Sequence, residues 1–178
     1  MKIETVKIAI KRADPNVPVA VMDFITVGRG SILPFGGKWI DKTSGWWTRE
    51  PTDENIRHQI MRAKPHLGEV ESYRIIDAKD IPCDRSFRDA WEDKDMKIVH
   101  NMEKARNIHR NNLRDLRAPL LEALDTEYMR ADEQGDIKVK TEIAKKKQEL
   151  RDATDYPAID AAKNIGELKK AVPKCLNP

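Results

Sequence analysis

The stretch that decides the fold is Asn101–Asp136, with the sequence NMEKARNIHRNNLRDLRAPLLEALDTEYMRADEQGD. Its apolar residues recur every three or four positions from Met102 to Ala131, a spacing typical of one face of a long α-helix. Gly135 and Asp136 end this pattern, and a second charged segment runs from about Ile137 to Arg151. The sequence therefore predicts two long helices that fold back on each other at residues 133–136.

The two helices are expected to share an apolar seam. The apolar positions of the first helix are Met102, Ala105, Ile108, Leu113, Leu116, Leu120, Leu124, Tyr128 and Ala131. On the return helix the residues expected to face inward are Val139, Ile143, Ala144, Leu150 and Ala153. The seam itself is expected to join Leu116, Leu120 and Leu124 to Ile143 and Leu150. Pro119 lies inside the first helix, where proline removes one backbone hydrogen bond, so the helix should kink or split near Arg117. Two short helical pieces, Ile159–Ala162 and Ile165–Val172, are expected to follow Tyr156-Pro157, and Lys145-Lys146-Lys147 is interpreted as a solvated run.

The first 95 residues have a different character, because they contain eight of the ten aromatic residues. Alternating or β-branched residues predict four strands, at Lys2–Lys11, Val17–Val27, Trp46–Arg49 and Val70–Ile76. The first two are most simply paired antiparallel. The segment Gly28–Gly45 has five glycines and is expected to be a long flexible loop or a loosely paired hairpin.

The helices predicted in the first 95 residues are short. Thr52 is a plausible N-cap for a helix that carries Ile56, Ile60 and Ala63 on one stripe and ends at Pro65. A second, short helix is expected to place Phe87, Ala90 and Trp91 inward, before an extended link at Lys97–His100. The predicted fold class is α+β: a small antiparallel β-rich head domain at residues 1–95 and a helical hairpin domain at residues 100–178.

Composition narrows the function classes. The 178 residues include 33 basic and 30 acidic side chains, a net charge of +3, which does not indicate a nucleic-acid-binding protein. No segment approaches the ~18 consecutive apolar residues of a membrane span. The first residues lack the pattern of a signal peptide, so we expect folding in a cytoplasm and no membrane partner.

The aromatic residues of the head are candidates for a partner-binding surface: Phe35, Trp39, Trp46 and Trp47. Large aromatic side chains supply much of the binding energy at protein interfaces. Two alternatives remain open, namely that these rings fill the core of a small sheet, or that they stack on sugars or bases. The nearby Gly28-Arg29-Gly30 lacks the third glycine and helix start of a phosphate-binding loop and is expected to lie in an extended arm.

A row of arginines on the long helix is the second candidate surface. Arg106, Arg110, Arg114 and Arg117 follow one another every three or four positions, so they share one face. The row is interpreted as a solvated face, as a docking stripe for an acidic protein partner or as a nucleic-acid contact. Interleaved aromatic residues, which base stacking favours, are absent from it.

The remaining chemistry-bearing residues do not form a recognisable motif. The four histidines, His58, His66, His100 and His109, lack a partner at metal-ligand spacing, so neither a metal, a cofactor nor a catalytic residue is predicted. The acidic side chains near the hairpin tip are read as solvation and helix pairing. Two cysteines, Cys83 and Cys175, are expected to be reduced thiols, with a disulfide between chains or within the chain as alternatives; Cys175 is the better candidate for an inter-chain link.

From Ile81 onward the sequence resembles a group of uncharacterised proteins of tailed bacteriophages and prophages that are encoded among tail and fibre genes. The resemblance starts at IPCDRSFRDAW, residues Ile81–Trp91, and covers roughly the last 100 residues. Its further segments are Met102–Arg110, Arg117–Asp125, Tyr128–Glu133, Lys147–Thr154, Pro157–Asp160 and Leu168–Lys170. Before Ile81 it is loose and is carried chiefly by Trp47–Glu50, and the glycine-rich segment 28–45 departs from it.

The resemblance implies a structural protein of the virion, made in the host cytoplasm and located in the tail, fibre or baseplate region as an adaptor or docking subunit. Its expected partners are other phage structural proteins and further copies of itself, in a trimer- or hexamer-related homo-oligomer. It implies no catalytic residues, and we expect the protein not to be an enzyme. A tail-fibre assembly chaperone and a nucleic-acid-binding phage regulator are the alternatives.

Overall fold

The structure is a computed structural model that describes residues 1–176. The chain has an α+β fold, as predicted, and separates into two compact units. The first unit is Met1–Val99 and the second begins at His100. Each unit has its own buried residues and is described separately.

The first unit is built around a five-stranded antiparallel sheet. Its strands are β1 (Glu4–Arg12), β2 (Ala20–Arg29), β3 (Gly37–Asp41), β4 (Trp46–Arg49) and β5 (Val70–Ile76), in the spatial order β3-β4-β2-β1-β5. The predicted antiparallel pairing of the first two strands is confirmed, with Ile8 opposite Met22. The inner strand β1 is covered on both faces, because its neighbouring residues Ile8 and Ala9 point to opposite sides and both are buried.

Each face of the sheet has its own apolar cluster. On one face Ile8, Ile10 and Phe24 pack with Ile56 and Ile60 of helix α1 (Asp53–Leu67). Thr52 caps α1 as predicted, because its side chain accepts a hydrogen bond from the Asn55 amide. Pro65 was expected to end α1 but lies inside it. The helix continues to Leu67, and Gly68 (φ +76°) ends it.

On the other face Ala9 and Ile76 pack with Trp91 and Ile98. The latter two belong to a two-stranded sheet, β6 (Trp91–Lys94) and β7 (Lys97–His100). The prediction of a short helix with Trp91 on its inner face is therefore wrong: only a 3₁₀ turn, Arg88–Ala90, precedes the strand. The turn between β6 and β7 uses positive φ angles at Asp95 and Met96 and contains no glycine, so its hairpin signal is weak in the sequence.

The expected flexible loop at 28–45 is more regular than predicted. Gly28 and Arg29 extend β2, and Gly37–Asp41 forms β3, which pairs with β4 so that Trp39 lies opposite Trp47. Gly36 (φ +69°) and Gly45 (φ +76°) permit the turns at the two ends of β3. The pairing of β3 and of the end of β2 with β4 orders the segment.

The second unit contains the predicted helical hairpin. Helix α2 (Met102–Glu133) is capped by Asn101, whose Oδ1 accepts from the Lys104 amide at 3.0 Å. Gly135 (φ +68°) makes the turn, and Asp136 caps α3 (Ile137–Asp152). Helix α2 runs through Pro119 without splitting. Short helices α4 (Pro157–Ala161) and α5 (Ile165–Lys170) follow.

The seam of the hairpin differs from the predicted one. Ile143, Leu150 and Ala153 are buried as expected, but Val139, Ala144, Leu116 and Leu120 are exposed. Leu113, which is 1% exposed, and Ala131 belong to the same apolar pattern of α2 and are buried, and Leu124 is half-buried. Lys147, expected to be solvated, forms an ion pair with Asp125, and its Nζ lies 5.0 Å from the centre of the Tyr128 ring.

Candidate functional site

The four aromatic candidates of the first unit do not form one patch. Trp47 is buried and Trp39 and Trp46 are half-buried, whereas the side chain of Phe35 is 45% exposed. Phe35 and Trp47 line one hollow and Trp39 lines another, while Trp46 lines neither. Trp47 therefore fills the core, which was one of the alternatives for these rings. A partner-binding role for Phe35, Trp39 and Trp46 stays a prediction.

The hollow that contains Phe35 has a volume of about 400 Å³, and we call it the Phe35 hollow. Strands β2 and β4, helix α1 and the turn before β3 provide its walls. The residues that line it are Met22, Ile25, Pro34, Phe35, Trp47, Arg49, His58, Gln59, Arg62 and Ala63. Its surface therefore combines apolar side chains with basic ones.

Phe35 is held in place by a ring stack. Its ring is parallel to the imidazole of His58 within 11°, and the two ring centroids are 4.0 Å apart. The backbone beside Phe35 is also constrained, because a Cβ atom at Gly36 would overlap the amide of the buried Asn55. That amide donates to the carbonyl of Glu50 at 2.9 Å. An aromatic ring is thus fixed at the edge of the hollow although much of its surface faces solvent.

Arg49 forms the polar floor of the hollow. Its side chain is only 9% exposed, and its guanidinium carbon lies 3.9 Å above the centre of the Phe24 ring. Nε donates to the carbonyl of Ile25 at 3.1 Å, and Nη2 donates to the side-chain oxygen of Gln59. Burial of the charge, and then the nearby positive charge of Arg62, lower the pKa of Arg49 from its ordinary value.

The Gly28-Arg29-Gly30 segment borders the hollow that contains Trp39. Gly28 and Arg29 are in strand β2, so the expectation of a loop in an extended arm is wrong for these two residues. The Gly30 amide donates to the carbonyl of Gly45 at 2.9 Å, and Arg29 Nε donates to the carbonyl of Ser44 at 2.9 Å. These bonds close the turn between β3 and β4 onto the end of β2.

In the second unit, three of the four arginines in the predicted row bond to backbone carbonyls. Arg106 donates to Ile159 and Ala162, at 3.3 and 2.9 Å, Arg110 to Thr154 at 3.3 Å, and Arg117 to Leu150 and Arg151 at 3.2 and 2.6 Å. Arg110 also pairs with Asp160 at 2.6 Å. Arg114 is exposed and donates to the side chain of Asn111, one turn away on the same helix.

These arginines therefore fasten α2 to the chain that follows it. The last carbonyls of a helix lack partners within the helix, and a guanidinium group with several donors satisfies more than one of them. Arg117 serves the end of α3 in this way, and Arg106 serves the end of α4. A docking role for the row of arginines stays a prediction. Many of the hydrogen-bond donors of these arginines already have acceptors inside the second unit.

Helix α2 also carries exposed apolar residues. Leu116 and Leu120 are exposed, and Ala123 follows at the next helical step. We call these three residues the Leu120 stripe. Leu120 lies on the same side of α2 as Leu113 and Ala131, which are seven and eleven residues away, but those two residues are buried and Leu120 is exposed. Leu116 and Leu120 are two of the residues that the sequence pattern assigned to the hairpin seam.

The two cysteines are both free thiols. Cys83 is exposed in the first unit. Cys175 is half-buried in the second, with Sγ 3.6 Å from the carbonyl oxygen of Glu149. An inter-chain disulfide through either residue stays a prediction.

Residues 1–176 contain neither a metal-binding cluster nor a membrane-spanning helix. No group of three or more His, Cys, Asp or Glu side chains in this range is arranged to hold a metal ion. No helix in the same range is both long enough and apolar enough to cross a membrane. His109, one of the four histidines considered from the sequence, is buried, and its Nε2 lies 3.1 Å from the carbonyl oxygen of Ala171.

Reasoning from the sequence missed the residues that complete the Phe35 hollow. Arg49 was not singled out, although it follows Trp47 by two positions in a strand and so shares its face. His58 and Gln59 lie on helix α1, and the strand residues that share the hollow with them are remote in sequence. The sequence therefore gives neither residue a part in an aromatic site. Comparison with protein-family models, with curated proteins and with solved structures finds no match to this chain.

Proposed function

We propose that the protein is a structural component of a bacteriophage virion, in the tail, fibre or baseplate region, where it acts as an adaptor or docking subunit without catalytic activity. The observation that carries this proposal is that each of the two units presents exposed apolar side chains. An adaptor requires one contact surface for each neighbour, and a surface on each unit meets that requirement. The phage setting itself rests on the resemblance of residues 81–170.

The Phe35 hollow is the proposed contact surface of the first unit. Phe35 keeps 45% of its surface exposed, and Ile25 beside it is also exposed. Since the stack on His58 already holds the ring, binding loses little side-chain entropy there. Preorganised aromatic groups of this kind are enriched among the residues that dominate interface energies.

The Leu120 stripe is the proposed contact surface of the second unit. Leu120 is 43% exposed and Leu116 more so, and both lie on a long helix that is rich in charged side chains. Apolar residues spaced by four and three positions are the pattern with which one helix packs on another. A helix of a neighbouring subunit or a fibre chain is the partner that fits this geometry.

The first experiment is quantitative mass spectrometry of purified particles of the source phage. Presence at a fixed copy number that is a multiple of three or six is expected for a tail or fibre subunit. Absence from particles, together with abundance in the infected-cell lysate, would overturn the proposal and favour the assembly chaperone, for which the exposed Leu120 stripe would be a transient binding surface.

A variant tests the second surface directly. Leu120→Glu places a charge in the stripe without removing a buried contact, so the isolated protein should stay folded while its incorporation into particles falls. Glu122→Gln, an exposed change on the opposite side of α2 from Leu120, is the matched control. Equal incorporation of both variants would show that the stripe is not an assembly surface.

A further inference from the structure

We propose that the Phe35 hollow is a binding site for a carboxylate carried on an aromatic or other flat apolar group. This inference concerns the chemistry of the hollow alone and stands whether or not the protein is a virion component. It rests on three features: the charges of the lining, the incomplete bonding of Arg49 and the exposed aromatic ring. Each of these is observed within the first unit.

The charges of the lining have one sign. Arg49 and Arg62 line the hollow together with the imidazole of His58, and none of the described residues that line it is an aspartate or a glutamate. This is unusual in a chain with 30 acidic residues, several of which pair with other basic groups of the first unit. The hollow therefore offers a positive potential to a ligand.

Arg49 is bonded incompletely for a buried charge. Two of its three guanidinium nitrogens have neutral acceptors, a carbonyl and an amide oxygen. Among the described residues, Nη1 has no hydrogen-bond acceptor and no carboxylate forms an ion pair with this side chain. Nη1 is not one of the buried atoms that lack a partner, so solvent reaches it. The structure therefore leaves an accessible donor and a positive charge available for an anion.

The rest of the lining decides what the anion is attached to. Phe35, Met22, Ile25 and Trp47 supply apolar surface beside the guanidinium. A single buried arginine matches one negative charge, whereas a phosphate dianion would lose more hydration against these apolar walls than one guanidinium returns. A planar carboxylate, which a guanidinium group binds through paired hydrogen bonds, is the better match, with its apolar group against Phe35.

The test uses 3-phenylpropionate as the probe, with two matched compounds. Its amide, 3-phenylpropionamide, keeps the ring without the charge, and acetate keeps the charge without the ring. Binding to the intact chain is followed by NMR, through the indole N–H signal of Trp47, assigned with Trp47→Phe. We expect saturable binding of 3-phenylpropionate that is roughly tenfold tighter than that of either matched compound, as one charge-assisted hydrogen bond in a protected site allows. Equal affinity for the amide, or no shift with any probe, would overturn the proposal.

Variants locate the charge that is recognised. Arg49→Gln should abolish the preference for the carboxylate over the amide, and Arg62→Gln, at an exposed position, should reduce it severalfold. Lys64→Gln lies on the same helix, outside the hollow, and should leave binding unchanged. Where Arg49→Gln fails to fold, as judged by the dispersion of the four indole signals, Arg62→Gln decides: retention of the full carboxylate preference in it contradicts the proposal.

A further pair of probes distinguishes two sources of the ligand, the end of a partner chain and a free metabolite. Acetyl-Ala-Ala-Phe with a free carboxyl terminus presents the same chemistry at the end of a peptide, and its amidated form lacks the charge. Tighter binding of the free peptide than of 3-phenylpropionate indicates the end of a partner chain as the ligand. Tighter binding of the small acid indicates a free metabolite, and both results support the site.

Discussion

Gly28 and Trp47 lie opposite each other on strands β2 and β4, and the indole ring occupies the space where a side chain of residue 28 would be. A Cβ atom at position 28 would lie 2.7 Å from Cη2 of Trp47 and closer still to Cζ2. Because the ring is buried, it has little room to move away. The glycine at position 28 thus serves the packing of an aromatic residue.

Replacing Gly28 by alanine tests this relationship. Gly28→Ala should lower the free energy of unfolding of the first unit by about 1–3 kcal/mol, the usual cost of forcing extra volume into a packed site. Urea unfolding followed by tryptophan fluorescence measures it, since all four tryptophans lie in this unit. Gly30→Ala is the control, because its Cβ would have no neighbour closer than 3.9 Å and should change the value by less than about 0.5 kcal/mol. Similar losses in both variants would show that the strand, not the ring, requires glycine.

The seam of the helical hairpin is tested by two leucines of α2. Leu113→Ala removes a side chain that is 1% exposed and should cost about 2–5 kcal/mol in the second unit. Leu120→Ala should cost less than about 1 kcal/mol, because solvent already reaches much of this side chain. The measurement is urea unfolding followed by the helical circular dichroism signal. A larger loss for Leu120 than for Leu113 would restore the seam that the sequence pattern predicts.

Arg117 and Arg114 separate an internal role of the arginine row from an external one. Arg117→Gln removes the donor to the carbonyls of Leu150 and Arg151 and should destabilise the second unit by about 1–3 kcal/mol, the range for hydrogen bonds to charged groups. Arg114→Gln should have an effect below about 0.5 kcal/mol, because Arg114 is exposed. The same unfolding assay compares them. If both variants keep full stability but lose incorporation into particles, the row is a docking surface instead.

The first turn of α1 predicts a dependence of stability on pH. A hydrogen bond from Tyr73, followed by one from Arg57, lowers the pKa of Asp53 below its ordinary value. A depressed pKa means that the ionised form stabilises the fold above the unfolded-state pKa of about 3.9, and that this contribution is lost as the pH falls through the folded value. Asp53→Asn should therefore be less stable than the unchanged protein at pH 7 and approach it in acid.

Unfolding midpoints of the two proteins, measured from neutral pH down to about pH 2.5, check this prediction. Glu54→Gln serves as the control, since Glu54 is exposed in the same helical turn. A difference between Asp53→Asn and the unchanged protein that is constant with pH would mean that Asp53 acts through geometry alone.

Much of the fold could be predicted from local patterns. The hairpin turn at Gly135, the cap at Thr52 and the strand Val70–Ile76 are set by residues close together in sequence, and each was predicted within a residue or two. The apolar pattern of α2 includes Leu113, Leu120 and Ala131 alike, and it does not specify which of them another segment covers. Leu113 and Ala131 are buried, whereas Leu116 and Leu120, which were expected in the seam, are exposed.

The candidate site was predictable only in part, because its residues come from separate elements. Phe35 and Trp47 were identified as aromatic candidates by composition. Arg49, His58 and Gln59 join them only when α1 packs on the sheet, through Ile56 and Ile60 against Ile8 and Ile10. No spacing in the sequence connects these contributions.

The sequence by itself determined the division into a β-rich head and a helical hairpin, because periodicity, caps and turns act over a few residues. Tertiary packing decided which apolar residues are buried, and it placed the cationic Arg49 in the same hollow as Phe35. The physical reason is that burial depends on contacts between distant segments. A charged or apolar side chain has the same local pattern whether a neighbour covers it or leaves it open to a partner.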